Sequence, residues 1–281
     1  MYIFKKNADL QAFLAHQKGK VGFVPTMGAL HEGHLALIAQ AKEQADWVVC
    51  SIFVNPTQFN DAQDLAKYPR TEEADIKLLL LHGKCDVLYL PDVAEIYPSD
   101  NPLPKYDYDF GNAGKVLEAA HRPGHFEGVA QVVRRLLEIV KPDQLFMGQK
   151  DFQQVIIVRK MLEQSPINTE LIACPTIREE SGLARSSRNT RLSASARLAS
   201  AEIYKTLRWV AANFGNLPPD EICAKAVAHL AENLLFQPEY FEIVSVEDLT
   251  KITDYHANEK AVACTAVYVE GVRLIDNILL N

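Results

Sequence analysis

Cysteine is scarce and scattered in this sequence: Cys50, Cys85, Cys174, Cys223 and Cys264 are odd in number and form no Cys-x-x-Cys pair. That excludes a disulfide framework and a cysteine zinc ribbon, and predicts reduced core thiols in a cytoplasmic protein. Blocks of lysine or arginine are also lacking, and the net charge is −7. Without a basic face to neutralise phosphates, nucleic acid is not an expected partner. No apolar run approaches the ~18 residues that span a bilayer. The opening Met1-Tyr2-Ile3-Phe4-Lys5-Lys6-Asn7 lacks the basic-then-apolar order of a secretory leader, so a soluble protein without membrane partners is expected. Nothing resembles an activated serine or cysteine nucleophile, and no internal repeat is visible.

What is present is an alternation. The 281 residues, 48% of them hydrophobic, are enough for two domains. Apolar runs predict strands over 21–24, 47–54, 86–90, 144–147 and 169–174. Helical spacing predicts helices over 35–41, 71–81, 128–141 and 152–164. Strand and helix in alternation imply an α/β, Rossmann-like parallel sheet with helices on both faces, binding ligands at the carboxyl ends of its strands. Residues 98–115, rich in Pro, Asp and Tyr, read as an irregular excursion. The last third changes character, with helices over 195–214 and 220–235, then strands over 240–246, 262–269 and 272–278 turning at Glu270-Gly271. The expected division is 1–175 for the nucleotide-binding domain and 176–281 for a smaller C-terminal α+β lid.

The stretch from Pro25 to His34, Pro-Thr-Met-Gly-Ala-Leu-His-Glu-Gly-His, joins a buried strand to a helix. Its glycines allow close approach to a ligand, and the helix N-terminus offers free N–H groups to phosphate. His31 and His34, three apart, fall on one face if the first turn is helical, and both can then donate to one anion. A zinc half-site is the competing reading, but no further ligands lie at suitable spacing.

His-x-Gly-His in this setting is similar to the signature of nucleotidyltransferases and class I aminoacyl-tRNA synthetases. The longer string resembles the pantothenate synthetase (pantoate–β-alanine ligase) family. Four further stretches extend the resemblance over most of 20–190. Asn55-Pro56-Thr57-Gln58-Phe59 ends in a glutamine able to donate and accept, which suits a substrate with hydroxyls and a carboxylate. Tyr68 to Asp75 opens a helix with acids that complement its dipole. His121-Arg122-Pro123-Gly124-His125 crowds basic groups around a turn, as a loop that lends charge to a substrate carboxylate or phosphate. In Gly148-Gln149-Lys150-Asp151-Phe152-Gln153-Gln154, Lys150 supplies a mobile cation, Asp151 can accept from ribose hydroxyls, and Gln154 lies one turn on. Finally, Ser186, Ser187 and Arg188 can grip phosphates from a loop whose composition suits a mobile clamp over 178–189.

The resemblance implies an ATP-dependent joining of pantoate and β-alanine through a pantoyl adenylate, with loss of pyrophosphate and then AMP, in the biosynthesis of pantothenate and coenzyme A. It implies that His34, His31, Lys150 and Arg188 are catalytic. It extends the ATP site to Met27, Gly28, Ala29, Leu30, Glu32, Gly33, Gly148, Gln149, Asp151, Ile177, Arg185, Ser186 and Ser187. Pantoate falls to Gln58 and Gln154, with Pro25, Thr26, Asn55, Arg122 and His125 beside it. Magnesium is implied at Asp75, with Glu73 as competitor, and a homodimer is implied as the assembly. Two positions depart from the family pattern: Gln149, where glutamate is common, and Arg185, where methionine or leucine is usual.

Overall fold

The computed structural model describes residues 1–59, 65–66, 68–99, 106–255 and 260–280. The chain divides into two compact units, one of 1–110, 122–149 and 157–175, the other of 111–121, 150–156 and 176–281.

The first unit is built on a six-stranded sheet of order β1-β4-β3-β2-β5-β6. Its strands are β1 (Tyr2–Phe4), β2 (Val21–Thr26), β3 (Trp47–Ile52), β4 (Val87–Tyr89), β5 (Gln144–Gly148) and β6 (Glu170–Cys174), and every pairing is parallel. Helix α1 (Asn7–Ala15) precedes β2, and α2 (Glu32–Gln44) and α3 (Glu72–His82) follow β2 and β3. Val24, Cys50, Leu88 and Phe146 on one face of the sheet pack with Ile38 and Ala41 of α2 and Leu79 of α3. Their strand neighbours Phe23, Val49, Val87 and Leu145 are equally buried on the other face. A sheet covered on both sides explains why these strands read as unbroken apolar runs rather than alternations. Each fully buried aliphatic side chain in these layers contributes about 1.5–3 kcal/mol.

The strand order has a consequence for binding. The chain runs from β2 outward through β3 and β4, then returns to place β5 on the other side of β2, with Phe23 in register with Leu145. The crevice at the carboxyl ends of β2 and β5 is therefore the topological switch point, where open parallel sheets bind ligands. Val93–Ile96 forms the one-turn helix α4, and α6 (His125–Val140) and α7 (Phe152–Glu163) flank β5; α5 is the short Glu118–His121.

The second unit carries a three-stranded antiparallel sheet, β7 (Phe236–Ser245), β8 (Ala261–Val269) and β9 (Val272–Leu280), in that order. Helices α8 (Ala194–Ala199), α9 (Ala201–Asn213) and α10 (Pro219–Ala231) pack onto it through Ala196, Ile203, Leu207, Ile222, Ala226 and Leu230.

Three expectations are corrected, and one strand was not anticipated: β1 is an edge strand of three residues, too short to show a period. The helix expected over 195–214 is two helices, because the buried Ser200 hydroxyl donates back to the Ala196 carbonyl at 2.7 Å and interrupts the run. The helix expected to 235 stops at Ala231, and the Asn233 side chain captures the Leu235 N–H at 3.0 Å. β7 starts at Phe236 despite Pro238, which sits at a shift of register with β8. Among the described residues no helix is long and apolar enough to cross a membrane. The expected excursion over 98–115 falls partly outside the described residues; within it, Gly111–Gly114 is a 3₁₀ turn.

Candidate active site

The turn after β2 takes its shape from two left-handed residues, Gly28 at φ 81° and Ala29 at φ 49°. Glycine adopts that region freely, whereas a left-handed alanine is disfavoured by about 1–2 kcal/mol. The carboxylate of Asp75, buried on α3, holds the turn there. Its Oδ2 accepts the Ala29 N–H at 3.0 Å, and its Oδ1 accepts the Leu30 N–H at 2.8 Å. Thr71 adds a hydroxyl donor to Oδ2 at 3.2 Å. At the base of the turn, Thr26 donates to the Ser51 carbonyl at 2.7 Å and accepts the Gly28 N–H at 3.2 Å.

The two histidines form a reciprocal cap on α2. His31 is the N-cap and its Nδ1 accepts the Gly33 N–H at 3.1 Å, while His34 Nδ1 accepts the His31 N–H at 3.3 Å. Their ring centroids lie 4.1 Å apart. An imidazole nitrogen that accepts a hydrogen bond carries no proton, so each neutral ring holds its proton on Nε2. The capping geometry thus sets the tautomer and yields two neighbouring N–H donors at a helix N-terminus, where the dipole already favours an anion.

Beside this turn, Asn55 is 1% exposed and fully engaged. Its Oδ1 receives the Tyr97 hydroxyl at 2.9 Å and the Thr57 N–H and hydroxyl, and its Nδ2 donates to Gln58 Oε1 at 2.9 Å and to the Gly128 carbonyl at 3.2 Å. Asn55 therefore shapes the 3₁₀ turn Pro56–Gln58. His125 is buried, and its Nδ1 donates to the Gln58 carbonyl at 2.8 Å, so it braces the turn from α6. Gln58 Nε2 meets Met27 Sδ at 3.2 Å, which ties this turn to the one after β2. Two participants escaped sequence reading. Tyr97 carries no motif, and Gly128 matters through space alone: a Cβ there would sit 2.5 Å from the Thr57 carbonyl oxygen, against backbone that cannot yield cheaply. Pro25 lies on β2 and Arg122 precedes α6, both half-buried.

Asp75, where magnesium was expected, is engaged by the protein itself. Both of its oxygens already accept donors from the turn and Thr71, and among the described residues no group of three or more His, Cys, Asp or Glu is placed to hold a metal. Glu73 is exposed on the opening turn of α3. What Asp75 supplies is the conformation of the turn.

In the second unit, Lys150 and Asp151 close the 3₁₀ turn Gln149–Asp151, with Lys150 Nζ 3.5 Å from Asp151 Oδ1. Gln154 is half-buried one turn along α7. Its neighbour Gln153 is buried and bonded, donating to the carbonyls of Ala113 and Val116 and accepting the Glu118 N–H. The expected clamp over 178–189 is a compact, hydrogen-bonded turn. Glu179 N–H donates to Leu183 O and Arg185 N–H to Ile177 O, and Asn189 Nδ2 reaches Glu179 Oε1 and the Ala184 carbonyl, both at 3.0 Å. Arg197 grips the Glu179 carboxylate with two nitrogens at 2.8–3.1 Å. Burial opposes the charge on Glu179, but the hydrogen bonds from Arg197 and Asn189 and the charges of Arg197 and Arg185 together hold its carboxyl below the ordinary range. Ser186 caps the 3₁₀ turn Ser187–Arg191 by accepting the Arg188 N–H at 3.3 Å. Burial raises the thiols of Cys50, Cys85, Cys174, Cys223 and Cys264, which keeps them protonated and inert.

Comparison with known proteins finds relatives that match over nearly the whole chain. The family model for pantoate-beta-alanine ligase matches residues 2–279. A pantothenate synthetase from Cytophaga hutchinsonii is 48% identical over 280 residues, covering 97% of this chain and 96% of the relative. The crystal structure of pantothenate synthetase from Thermus thermophilus superposes with a TM-score of 0.91 at 38% identity, covering 99% of each chain. A pantoate-beta-alanine ligase from Francisella tularensis, crystallised with beta-gamma ATP and beta-alanine, matches with a TM-score of 0.81 at 37% identity over 99% of this chain and 97% of its own.

Proposed function

Since the chain belongs to the pantoate–β-alanine ligase family, whose reaction is the ATP-dependent joining of pantoate and β-alanine, we propose that it forms pantothenate in two steps, with the histidine-capped turn after β2 as the centre of the first. A carboxylate oxygen of pantoate attacks the α-phosphorus of ATP, the bond to the β-phosphate oxygen breaks, and pyrophosphate leaves. The Nε2–H donors of His34 and His31 stabilise the charge that gathers on the α-phosphate. Lys150, Ser186, Ser187 and Arg188 take the departing phosphates, and Gln58 and Gln154 hold pantoate. The amine of β-alanine then attacks the acyl carbon, and AMP leaves with the former carboxylate oxygen. Neither step needs a covalent enzyme intermediate, in keeping with the protonated thiols.

The observation that carries this reading is the reciprocal cap: Nδ1 of each histidine is occupied by backbone N–H, so both rings are fixed as Nε2–H donors side by side. Preorganised donors aimed at developing charge are worth about 10²–10³ in rate each. No step here is routed through a metal. The reading extends to a cytoplasmic homodimer. The test is pantoate-dependent release of pyrophosphate and AMP with and without β-alanine: pyrophosphate formed from ATP and pantoate alone, and AMP released in quantity only on adding the amine, supports it. AMP transfer that ignores β-alanine favours a nucleotidyltransferase instead.

A further inference from the structure

Consecutive residues near the end of the chain anchor two of the segments just assigned to the ATP phosphates. Asn277 on β9 is 3% exposed, and its Nδ2 donates to the Lys150 carbonyl at 2.8 Å. Asp276, 5% exposed, receives both terminal nitrogens of Arg178, at 2.6 and 3.0 Å. Arg178 also donates to the Gly182 carbonyl at 3.2 Å and to the Asn277 carbonyl at 3.4 Å, and its guanidinium lies 3.6 Å from the centre of the Tyr204 ring. It pairs with Ala184 across the root of the 178–189 turn. The two anchors are themselves coupled, because the Asn277 N–H donates to Asp276 Oδ1 at 2.8 Å.

Burial of an amide beside a carboxylate is unfavourable unless both are bonded, and apolar residues would fill the same space more cheaply. Neighbours on a strand project to opposite faces, so one strand can hold two different segments in fixed register. The Lys150 side chain needs such a hold. Among the described residues its ammonium has a single long contact, to exposed Asp151, so its position follows its backbone. Burial pushes the Asp276 carboxyl up, while Arg178, the Asn277 N–H and the nearby Lys150 charge pull it down. The Lys150 charge is thus within electrostatic reach of the same pair.

We propose that Asp276 and Asn277 of β9 are positioning residues for ATP, Asn277 fixing the backbone of Lys150 and Asp276 fixing the root of the 178–189 turn, so that one strand sets both phosphate-binding segments. This rests on the assignment of Lys150 to ATP. The test is a double-mutant cycle on adenylation, read as pantoate-dependent pyrophosphate release, with Asn277→Ala and Lys150→Ala alone and together, and Asn277→Asp as a second variant of nearly equal size that sets an acceptor against the Lys150 carbonyl. Misplacing a charged group by a fraction of an ångström predicts about a tenfold loss of kcat/KM for ATP in Asn277→Ala or Asn277→Asp. In the Lys150→Ala background the same change should cost less than about twofold, since its object is gone. The reaction of preformed pantoyl adenylate with β-alanine should be unaffected. Equal losses in both backgrounds, or an undiminished rate in a folded Asn277 variant, overturn the proposal while leaving Lys150 in place. A Lys150→Ala enzyme with full activity overturns the assignment of Lys150 and the proposal with it.

Discussion

The turn after β2 and the turn over 178–189 have the same design and opposite means of support. Each ends in a capped N-terminus, by His31 on α2 and by Ser186 on Ser187–Arg191. The first is held by a carboxylate that grips backbone N–H groups, with the tautomers of its histidines set by further backbone groups. The second is held by side-chain ion pairs, Arg178 with Asp276 and Arg197 with Glu179. Neutral backbone donors on a buried carboxylate are little screened, so the first turn should keep its shape over a wide range of salt. Partly exposed ion pairs are screened, so the second should be the adjustable one.

The largest effect that sharpens this contrast is at His34. On the proposed mechanism His34→Ala removes one donor to the α-phosphate as well as the cap acceptor for the His31 N–H, and adenylation should slow by about 10²–10³. Stopped-flow pyrophosphate release checks it, and near-normal turnover in a folded variant would remove the histidine pair from the chemistry. Asp75→Ala comes next. It leaves two backbone N–H groups without their acceptor, at about 1–3 kcal/mol each, and releases the left-handed Ala29. Chemical denaturation should show that loss, with kcat/KM down about 10²-fold as the turn shifts. A variant that loses metal affinity but neither stability nor turn geometry would restore Asp75 as a magnesium ligand.

The two turns also differ in how far they could be read from sequence. The first is local: strand, glycine turn, His-x-Gly-His and helix lie in one stretch, and periodicity with helix-capping chemistry exposes them. The parallel sheet was legible for the same reason, since unbroken apolar runs such as 47–52 signal burial on both faces. What stayed hidden is what depends on distant partners. Asn55 and His125 sit in suggestive stretches, but their bonds to Gln58, Tyr97 and the Gly128 carbonyl could not be read there. Asp276 and Asn277 lie about a hundred residues from Arg178 and further still from Lys150. No period or motif reports such pairs.

A smaller effect concerns the response of the second turn to pH. Glu179 has its carboxyl held below the ordinary 4.5. Its depressed pKa means that the unfolded chain takes up this proton before the folded one does. The stabilisation is therefore complete above 4.5 and is lost as pH falls through the lowered value. Glu179→Gln should cost about 1 kcal/mol at pH 7, a modest figure because Arg197 is partly exposed, and the difference from the parent should shrink as acid protonates the carboxylate. Thermal melts at neutral and acid pH check it. A difference that persists in acid would mean that the turn does not rely on this ion pair.

The smallest effect concerns Arg185, the cation expected to depart from the family pattern. Its N–H is bonded to the Ile177 carbonyl at 2.9 Å, and its charge is one of those that lower the Glu179 carboxyl. That charge is thus partly balanced within the turn and only partly available to polyphosphate. Arg185→Met should raise the KM for ATP about two- to fivefold at low salt and less at 0.15 M, where charges are screened beyond about 8 Å. The same substitution removes one of the groups holding Glu179 ionised, so the acid loosening of the turn should begin at higher pH than in the parent. A KM rise of tenfold or more that resists salt would place Arg185 directly on the phosphates. An unchanged KM with a shifted acid transition would assign its charge wholly to Glu179, leaving Arg188 as the cation of this turn that ATP meets.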